Sequence, residues 1–357
     1  MAIQAFGTND NQTVKIWSQA LEREVLPATL FGKFMGKTSD YAVQVKDELT
    51  KSAGDRVRMQ LSMLIDGDGV SGNTTMEGNE ENFTFYTDDV NIDQLRNAVR
   101  HYTRIDQQRV TFSLREESKV QLRDWWADRL DRAFINQLTG NTVETDTKKT
   151  GLNAAIAPDS GHVIYGGNAT SVGTLNAGDE FTLALLDEAI TSIKMMREDG
   201  VGPLIRPMKG GYYGCIVSPR QVEDLRSDAA SQGTGGWLDI QRAAMEGGQV
   251  QNNPIFTGAL GMYNRVVLYE DSRIPKGNNS GSYKDNTRVA VLFGAQACWA
   301  AFGREGGRPN RFLWNEESFD YQNQHGVSAS LIFGLKKARF NSKDFGTLAI
   351  ATYTTNA

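Results

Sequence analysis

The sequence predicts an α+β fold, in which one long helix is combined with strands and shorter helices. Large apolar residues recur at every fourth position through the polar segment 113–139, which is the spacing of one face of a helix. From Asp55 the pattern changes to period two, which is typical of a strand with one face in water. Between residues 182 and 293, helical and strand patterns follow one another, so neither an all-α nor an all-β fold is expected.

The first 40 residues begin as a polar arm and continue as an amphipathic helix that Pro27 ends. The apolar residues at helical spacing on this helix are Ile16, Trp17, Ala20, Leu21 and Val25. Two interpretations stay open, since the helix can pack on its own core or dock on a neighbouring molecule. In the second case the docking residues are Trp17, Leu21 and Val25.

A long hairpin follows the arm. Val57, Met59 and Leu61 alternate with polar residues, and a returning strand is predicted at Phe83 and Phe85. The connection, residues 66–82, is longer than the roughly 12–15 residues usual for structureless loops. Because an isolated hairpin is marginally stable in water, we expect it to lie on another copy of the chain. The predicted contact residues at its tip are Asp66, Gly67, Asp68, Gly69, Val70 and Met76.

The long helix is predicted over Ser113–Thr139, at a length of roughly 40 Å. Ser113 is the N-cap with Glu116 three residues on, and Gly140 supplies a left-handed C-terminal turn. Such a rod suits a thin, plate-like subunit better than a compact enzyme. Its predicted core face consists of Leu122, Trp126, Leu130, Phe134 and Leu138.

Residues 141–178 are rich in Thr, Asn and Gly and form the best domain boundary. Beyond them a helix is predicted over Thr182–Asp199, and Ser218, Pro219 and Gln221 begin another that runs through Leu225. A short helix is expected at 239–245. Strands are expected at 212–217, 266–269, 289–293, 327–340 and 347–353.

Bulk properties exclude several classes of protein. The 357 residues contain no apolar run long enough to cross a bilayer, and residues 1–10 lack the pattern of a secretory signal. The formal net charge of −5 argues against a dedicated nucleic-acid binder. Cys215 and Cys298 lie in apolar runs and are predicted to be buried thiols.

Motifs for cofactor chemistry are incomplete. Gly67, Gly69 and Gly72 have the spacing of a dinucleotide-binding loop, but no apolar periodicity for a helix follows them. Gly32, Gly36 and Lys37 lack the spacing of a phosphate-binding loop. The histidines His101, His162 and His325 are far apart, and none has a second His or Cys at metal-ligand spacing. We therefore expect no enzyme activity, cofactor or metal.

Two basic clusters occur late in the chain. The first contains Arg304, Arg308 and Arg311, and the second contains Lys336, Lys337, Arg339 and Lys343. The ordinary interpretation is a solvated face. The alternative is a surface that meets nucleic acid or an acidic neighbour.

Several strings, in this order, resemble the major capsid (coat) proteins of tailed bacteriophages, in particular the family typified by phage N-four. They are Asn91-Ile92-Asp93-Gln94, Asp106-Gln107-Gln108-Arg109, Leu114-Arg115, Leu122-Arg123-Asp124-Trp125, Leu138-Thr139-Gly140 and Ile216-Val217-Ser218-Pro219. The resemblance extends from about Thr13 to the last strand. It implies the Hong Kong 97-type fold, with an N-arm, an extended hairpin called the E-loop, a peripheral domain with a long spine helix, and an axial domain.

By this resemblance, residues 1–40 form the N-terminal arm, 41–105 the E-loop hairpin and flanking strands, and 106–150 the spine helix. Residues 151–300 form the axial domain, and 301–357 form C-terminal strands that return to the peripheral domain. Hexamers and pentamers of such subunits are expected to build an icosahedral phage head around double-stranded DNA, assembled in the host cytoplasm. The implied partners are further copies, weakly contacted DNA and possible scaffold, decoration and portal proteins, without a membrane.

Two other functions stay open at this point. A shell protein of a bacterial encapsulating compartment shares the fold and differs only in its contents. A soluble nucleotide-binding enzyme would use Gly67–Gly72 as a phosphate loop.

Overall fold

The computed structural model describes residues 21, 24–25, 29–47, 54–63, 65, 67, 69–100, 104–111, 113–232, 260–303 and 311–355, with backbone only at 229–232. The predicted short helix at 239–245 lies outside the described residues. Among the described residues, no helix is both long and apolar enough to span a bilayer.

The α-helices of the described chain are α1 Leu30–Lys33, α2 Arg104–Arg109, α3 Leu114–Thr139, α4 Leu183–Met195 and α5 Pro219–Gln232. The strands of the first half are β1 Met35–Gly36, β2 Val43–Lys46, β3 Arg56–Ser62, β4 Phe85–Asn91, β5 Asp93–Arg100, β6 Val163–Tyr165 and β7 Tyr213–Val217. The strands of the second half are β8 Gly261–Tyr263, β9 Val266–Glu270, β10 Asn278–Asn279, β11 Ser282–Tyr283, β12 Thr287–Phe293, β13 Cys298–Phe302, β14 Phe312–Phe319, β15 Gln324–Lys337, β16 Arg339–Phe340, β17 Lys343–Asp344 and β18 Thr347–Tyr353.

The predicted long helix is confirmed as α3, and its two ends lie where the capping residues stand. Ser113 is the N-cap, because its Oγ accepts a hydrogen bond from the backbone N–H of Glu116 at 3.4 Å. Gly140 ends the helix in the left-handed conformation, with φ of 64°. A Cβ at this position would lie 2.5 Å from the carbonyl oxygen of Ile156, so glycine is required both by its conformation and by the space.

The first sheet lies against α3. Its strand order is β1-β2-β13-β15-β14, and β5 pairs with the opposite side of β15. Val327, Ala329, Leu331 and Phe333 alternate along β15 as buried residues in the same apolar cluster as the buried face of α3. The ring of Trp126 meets that of Phe312 edge-on, with centroids 5.3 Å apart. This packing joins the helix and the sheet into one layer pair.

The second sheet has the order β6-β18-β12-β7-β9-β8 and is covered on both faces. On one face, Cys215, Val217 and Leu292 share a cluster with α4 and α5. On the other face, Ile216 and Phe293 belong to the cluster of α3. Because successive residues of a strand point to opposite faces, both clusters draw on the same strands. The helix α3 thus contacts both sheets.

One carboxylate ties three parts of this body together. The buried Asp131 of α3 accepts hydrogen bonds from the backbone N–H groups of Leu30, at 3.1 Å, and Phe31, at 2.9 Å. It also receives one from Nη2 of Arg273 at 2.9 Å, and Arg273 bonds Asp271 beside the second sheet. A buried charge needs such partners, and here they come from the N-terminal segment and from the loop after β9.

Among the strands that the structure describes, β3 and β4 pair with each other alone and form a separate two-stranded hairpin. The chain passes directly from β4 through Ile92 into β5, and it crosses β15 at Gly334. A Cβ on Gly334 would lie 2.0 Å from the carbonyl oxygen of Asn91, so only glycine permits this close approach. The base of the hairpin therefore rests on the backbone of β15.

Three strand predictions need correction. The last strand, β18, pairs with β12 and β6 in the second sheet and does not return to the first sheet beside α3. The apolar run of β18 is buried on both faces. Because such a run has no polar face, the sequence does not show which of the two sheets contains the strand. The strand expected at 327–340 begins at Gln324 and is interrupted at Ala338. The returning hairpin strand begins at Phe85, and Phe83 lies before it.

Helix ends differ less. The helix predicted over Thr182–Asp199 has Thr182 as its N-cap but ends at Met195, where the chain turns through Gly200. The helix begun by Ser218 continues to Gln232, beyond the expected Leu225. Gln221 and Ser218 form the predicted reciprocal cap, with Oε1 accepting from the Ser218 N–H at 3.0 Å and Oγ accepting from the Gln221 N–H at 3.3 Å.

Candidate assembly surfaces

The base of the β3–β4 hairpin is an apolar contact with the body. Val57, Met59 and Val90 are buried against Trp299 and Phe340. The alternate residues of β3, such as Arg56 and Arg58, are exposed, as the period-two pattern predicts. The hairpin therefore has one face on its own chain, but only over its proximal half.

Asp88 is the polar anchor of the hairpin. Its side chain is buried and accepts hydrogen bonds from Nε1 of Trp299 and from the backbone N–H of Arg339, each at 3.2 Å. The Nζ group of Lys336 donates to the other oxygen of Asp88 and forms an ion pair with it. Strand β4 is thus attached to β13 and to the end of β15 by one carboxylate.

Asn153 makes a second polar connection at the base. Its Oδ1 accepts from the backbone N–H of Asn91 at 3.2 Å, and its Nδ2 donates to the Asn91 carbonyl at 3.0 Å. The same Nδ2 lies 3.2 Å from the carbonyl oxygen of Leu335 on β15. An amide that both donates and accepts fixes the β4–β5 junction with a single side chain.

Asp89 faces water and pairs with Arg58 across the hairpin. Two guanidinium nitrogens of Arg58 donate to the carboxylate at 2.8 and 3.1 Å. The hydrogen bond from Arg58 holds the pKa of Asp89 below its usual value. Because both groups are exposed, this pair aligns the two strands and adds little stability.

Beyond residue 62 the hairpin loses this support. Phe83 and Phe85 are 66% and 63% exposed, and their ring centroids lie 6.2 Å apart. Of the predicted tip residues, Gly67, Gly69 and Met76 are exposed and Val70 is half-buried, whereas Asp66 and Asp68 lie outside the described residues. Residues 69–84 contain turns and no helix, so the glycines do not have the context of a dinucleotide-binding loop.

The predicted docking residues of the N-terminal arm lie on the chain's own core where they are described. Leu21 and Val25 are fully buried in the cluster that contains α3. Between them, Glu24 pairs with Lys119 of α3 at 2.6 Å. Trp17 lies outside the described residues. For Leu21 and Val25 the structure therefore agrees with the first of the two interpretations, packing on the same copy.

The five residues of the predicted face of α3 are all buried, at 0–1% exposure: Leu122, Trp126, Leu130, Phe134 and Leu138. They contact both sheets and the N-terminal segment. The helix is the central support of the body, and its buried side is not available to a partner.

The interpretation of the C-terminal basic cluster as a solvated face is wrong for Lys336, Lys337 and Arg339, whereas Lys343 is exposed. Lys336 pairs with Asp88, and Lys337 and Asp344 form a buried ion pair at 2.6 Å, each 1% exposed. Burial lowers the pKa of Lys337, against the opposing effect of Asp344. Arg339 also pairs with Asp344, at 2.9 Å. The acidic neighbours of this cluster belong to the same chain. Asp88 is 248 positions from Lys336, whereas Asp344 follows Lys337 by seven positions, and no sequence pattern shows that those two side chains are buried together.

The described side chains that were candidates for chemistry take part in packing or local hydrogen bonds. Cys215 and Cys298 are buried free thiols, and burial raises the pKa of both. Within the described residues, no group of His, Cys, Asp and Glu is arranged to hold a metal ion.

The histidines have separate local contacts where they are described. His162 is buried and forms a hydrogen bond with Asp159 at 3.0 Å, and His325 lies 3.1 Å from the Ser318 hydroxyl. His101 lies outside the described residues. Arg311 lies over the ring of Phe302, and Arg304 and Arg308 lie outside the described residues.

The comparisons with known proteins agree on one family. The sequence model of the phage capsid protein family matches residues 5–356. The major capsid protein of Pseudomonas phage KPP25 is 26% identical over an alignment of 381 positions, which spans 96% of this chain and 95% of that protein. The capsid of Ralstonia phage GP4 is 31% identical with a TM-score of 0.78, over 100% of this chain and 94% of that one. The capsid of cyanophage Pam1 has a TM-score of 0.71 at 19% identity, over 93% of this chain and 94% of that one.

These matches confirm the predicted α+β fold of the Hong Kong 97 type and the predicted function of a phage major capsid protein. The role is structural, so the chain is a component of the virion and not a nucleotide-binding enzyme. They favour a phage shell over the shell of a bacterial compartment. With a match over nearly its whole length, the chain belongs to the phage capsid protein family.

Proposed function

We propose that copies of this chain form hexamers and pentamers, and that these close into an icosahedral head around double-stranded DNA. Each β3–β4 hairpin lies across the adjacent subunit. The observation that carries the proposal is the exposure of Phe83 and Phe85 on a hairpin that no described apolar residue supports beyond its base. Large exposed apolar side chains on a two-stranded sheet indicate a surface that another molecule covers.

The energetics fit a shell built from many moderate contacts. Ordering the distal hairpin on a neighbour costs conformational entropy, which the contacts made there have to exceed. Within a ring, each subunit gives one hairpin and receives another, so the contacts cooperate once the ring closes. Contacts that are weak one at a time also allow wrongly placed subunits to dissociate.

We assign the parts of the chain to the parts of a capsid subunit as follows. Residues 1–40 form the arm, 41–105 the E-loop hairpin with flanking strands, and 106–150 the spine helix of the peripheral domain. Residues 151–300 form most of the axial domain around the capsomer axis. Because β18 pairs with β12, the axial domain also includes the last strand, whereas β14 and β15 belong with the spine helix.

The remaining partners are part of the same proposal. The formal net charge of −5 suits weak, non-specific contact with packaged DNA, because a strongly cationic lining would retain the genome. Scaffold, decoration and portal proteins are further proposed partners, and assembly takes place in the host cytoplasm.

Electron microscopy of the purified chain tests the proposal. We expect shells tens of nanometres across from the native sequence, with rings of five and six subunits. A variant in which residues 66–82 are replaced by a short Gly-Ser turn removes the distal hairpin but keeps its base. We expect it to stay folded by circular dichroism and to form no shells. Normal shells from this variant would contradict the role given to the hairpin.

A further inference from the structure

All the charged side chains of the distal hairpin, residues 63–84, are acidic. It contains no Lys or Arg, and its acidic residues are Asp66, Asp68, Glu77, Glu80 and Glu81. The described glutamates of this segment are exposed, and none of them forms an ion pair with a described residue. The local hydrogen bonds, such as that from the N–H of Gly78 to Glu80 at 2.8 Å, shape the turn and leave the negative charge uncompensated.

The opposite charge lies on the next part of the chain. Residues 94–109, which include most of β5 and all of α2, contain four Arg and one Asp. No other Lys, Arg, Asp or Glu occurs among them. We call Arg96, Arg100 and Arg104 the arginine face. Arg96 and Arg100 alternate on the exposed side of β5, opposite to the side of the buried Leu95. Arg104 begins α2, four positions after Arg100 at the end of β5.

The arginine face is held by neutral groups. The guanidinium of Arg100 lies 4.2 Å from the ring centroid of Phe319 and donates to Oε1 of Gln324. Nε of Arg104 donates to the carbonyl oxygen of Gln322 at 3.1 Å. Within the described part of the chain, no carboxylate forms an ion pair with Arg96, Arg100 or Arg104. Two of the three side chains are therefore oriented while their charge stays available.

Two other basic segments of the described chain are compensated within the same copy. The helix α3 has equal numbers of basic and acidic residues, and its Arg115, Lys119 and Arg132 pair with carboxylates. The cluster at Lys336 and Lys337 is paired with Asp88 and Asp344. By contrast, the arginine face has three guanidinium groups within nine residues, and none of them forms an ion pair with a described carboxylate.

The acidic and basic segments lie at opposite ends of one run of chain. Strand β4 leads from Phe85 to the base of the hairpin, and β5 leads from there to Arg100, with only Ile92 between them. Along β15, the register runs from Phe333 opposite Asp93 to Gly326 opposite Arg100. Two complementary surfaces at opposite ends of one run of chain can form a head-to-tail contact between copies, and such a contact closes as a ring when the rotation permits.

Building on the proposed shell function, we propose that the acidic distal hairpin of one copy docks on the arginine face of the next copy in the same ring. The chemistry is guanidinium–carboxylate pairing at a partly exposed interface, which sets partner orientation and register more than total affinity. Apolar contact is available on both sides, from Phe83 and Phe85 on the hairpin and from Ile105, 54% exposed, beside Arg104. A second copy of this chain is therefore the occupant that the charges select.

Charge reversal in the full chain tests this contact. One variant carries D66K, D68K, E77K, E80K and E81K in the hairpin, and another carries R96E, R100E and R104E. Each creates like charges across the contact, so we expect the yield of shells to fall by about tenfold or more for either one. The matched control R96K, R100K and R104K keeps the positive charge and is expected to assemble. Circular dichroism and thermal unfolding show that each variant is folded.

Combining the reversals gives the decisive result. A single chain that carries both sets has a positive hairpin and a negative face, and we expect it to form complete shells again. When the two singly reversed chains are mixed, each hairpin finds its opposite charge only on the other variant. Strict alternation is possible in a ring of six but not in a ring of five, so the mixture is expected to give hexamers and no closed shells.

The outcomes separate this contact from the broader proposal. If the native chain forms shells and the arginine reversal leaves their yield unchanged, the hairpin docks elsewhere and the arginine face is wrong, while the shell function stands. If the chain with both reversals fails to assemble although it is folded, the pairing is also contradicted. If the native chain forms no rings or shells under any condition, the proposed function itself fails.

Discussion

The body of the molecule and its distal hairpin differ in how their charged and apolar side chains are placed. In the body, the buried Asp131 is surrounded by two backbone N–H groups and Arg273, and Lys337 is paired with Asp344. In the distal hairpin, the described glutamates have no ion pair with a described residue, and Phe83 and Phe85 face water. The described charges of the body that are named here are compensated within one copy, whereas we propose that a neighbour covers the distal hairpin.

This difference separates stability from assembly. Substitutions in the body are expected to change the free energy of unfolding of a single copy, because each interaction is made within the chain. Substitutions in the distal hairpin are expected to leave that free energy almost unchanged and to alter assembly. The base of the hairpin, around Asp88, lies between these cases.

The largest effect is expected at Asp131. Replacing Asp131 by Ala leaves Arg273 and two backbone N–H groups without their partner, and should lower the free energy of unfolding by about 3–5 kcal/mol. Denaturant unfolding of the unassembled chain measures this. Asp128→Ala is the matched control, since Asp128 lies 3.4 Å from the same guanidinium but is 53% exposed, and it should cost less than about 1 kcal/mol. Equal losses would show that burial of Asp131 is not what matters.

At the hairpin base, Asp88→Ala should lower the free energy of unfolding by about 2–3 kcal/mol. The change leaves the Trp299 and Arg339 N–H groups and the Lys336 ammonium without their acceptor. Hydrogen exchange should accelerate in β3 and β4 before it does so in α3. Asp89→Ala, which removes the exposed pair with Arg58, is the control and should have a small effect.

A smaller effect on the body is expected from pH. Burial of Asp159 opposes ionisation, but hydrogen bonds from His162 and from the N–H of Asp344 outweigh it and lower the pKa to about 2. Since this folded-state pKa is below the unfolded value of about 3.9, ionised Asp159 stabilises the fold above that value, and the contribution disappears as pH falls towards 2.

Urea unfolding between pH 5 and pH 2 checks this effect. The native chain should lose on the order of 1–2 kcal/mol more than the Asp159→Asn variant, which has no carboxylate to protonate. Parallel pH dependence of the two chains would show that Asp159 does not contribute.

The smallest effect on stability is expected at Phe85. Phe85→Ser removes an exposed ring, so the free energy of unfolding of the single copy should change by less than about 0.5 kcal/mol. Shell yield should nevertheless fall, because the serine cannot supply the apolar contact with the neighbour. Val57→Ser, at the buried base of the same hairpin, should instead lower the free energy of unfolding of the single copy, because it places a hydroxyl among apolar side chains. A stability loss at Phe85 as large as that at Val57 would remove the distinction between the two halves of the hairpin.

Local signals explain which elements could be predicted. The ends of α3 were predictable because Ser113 and Gly140 act through neighbouring backbone groups, and β3 was predictable because one of its faces is apolar. Strand β5 has no such pattern, since Arg96 and Arg100 occupy its exposed side and Asn97 and Ala98 lie between them. Its place is set by pairing with β15, whose residues are more than 200 positions away.

The same limit applies to the candidate surfaces. The polar hairpin could be predicted from the length and composition of residues 66–82. The expectation that it lies on a partner follows from the marginal stability of an isolated hairpin. Lys336 and Asp88 are 248 positions apart, and burial of the nearby Lys337 and Asp344 depends on packing by other segments, so the sequence pattern alone indicates a solvated face. The unpaired state of the arginine face is likewise visible only after the neighbours of each guanidinium are known.

The close approach of Asn91 to Gly334 fixes the direction in which the hairpin leaves the body. The bare backbone there lets Asn91 approach β15 directly, and this contact sets the angle at which the seven residues of β4 leave the body. At about 3.3 Å per residue that arm is roughly 20 Å long, so a tilt of about 10° at this contact would displace its far end by about 3–4 Å. In a closed shell the same aiming error would recur at every subunit, and a single methyl group at position 334 would become a change in curvature of the whole container.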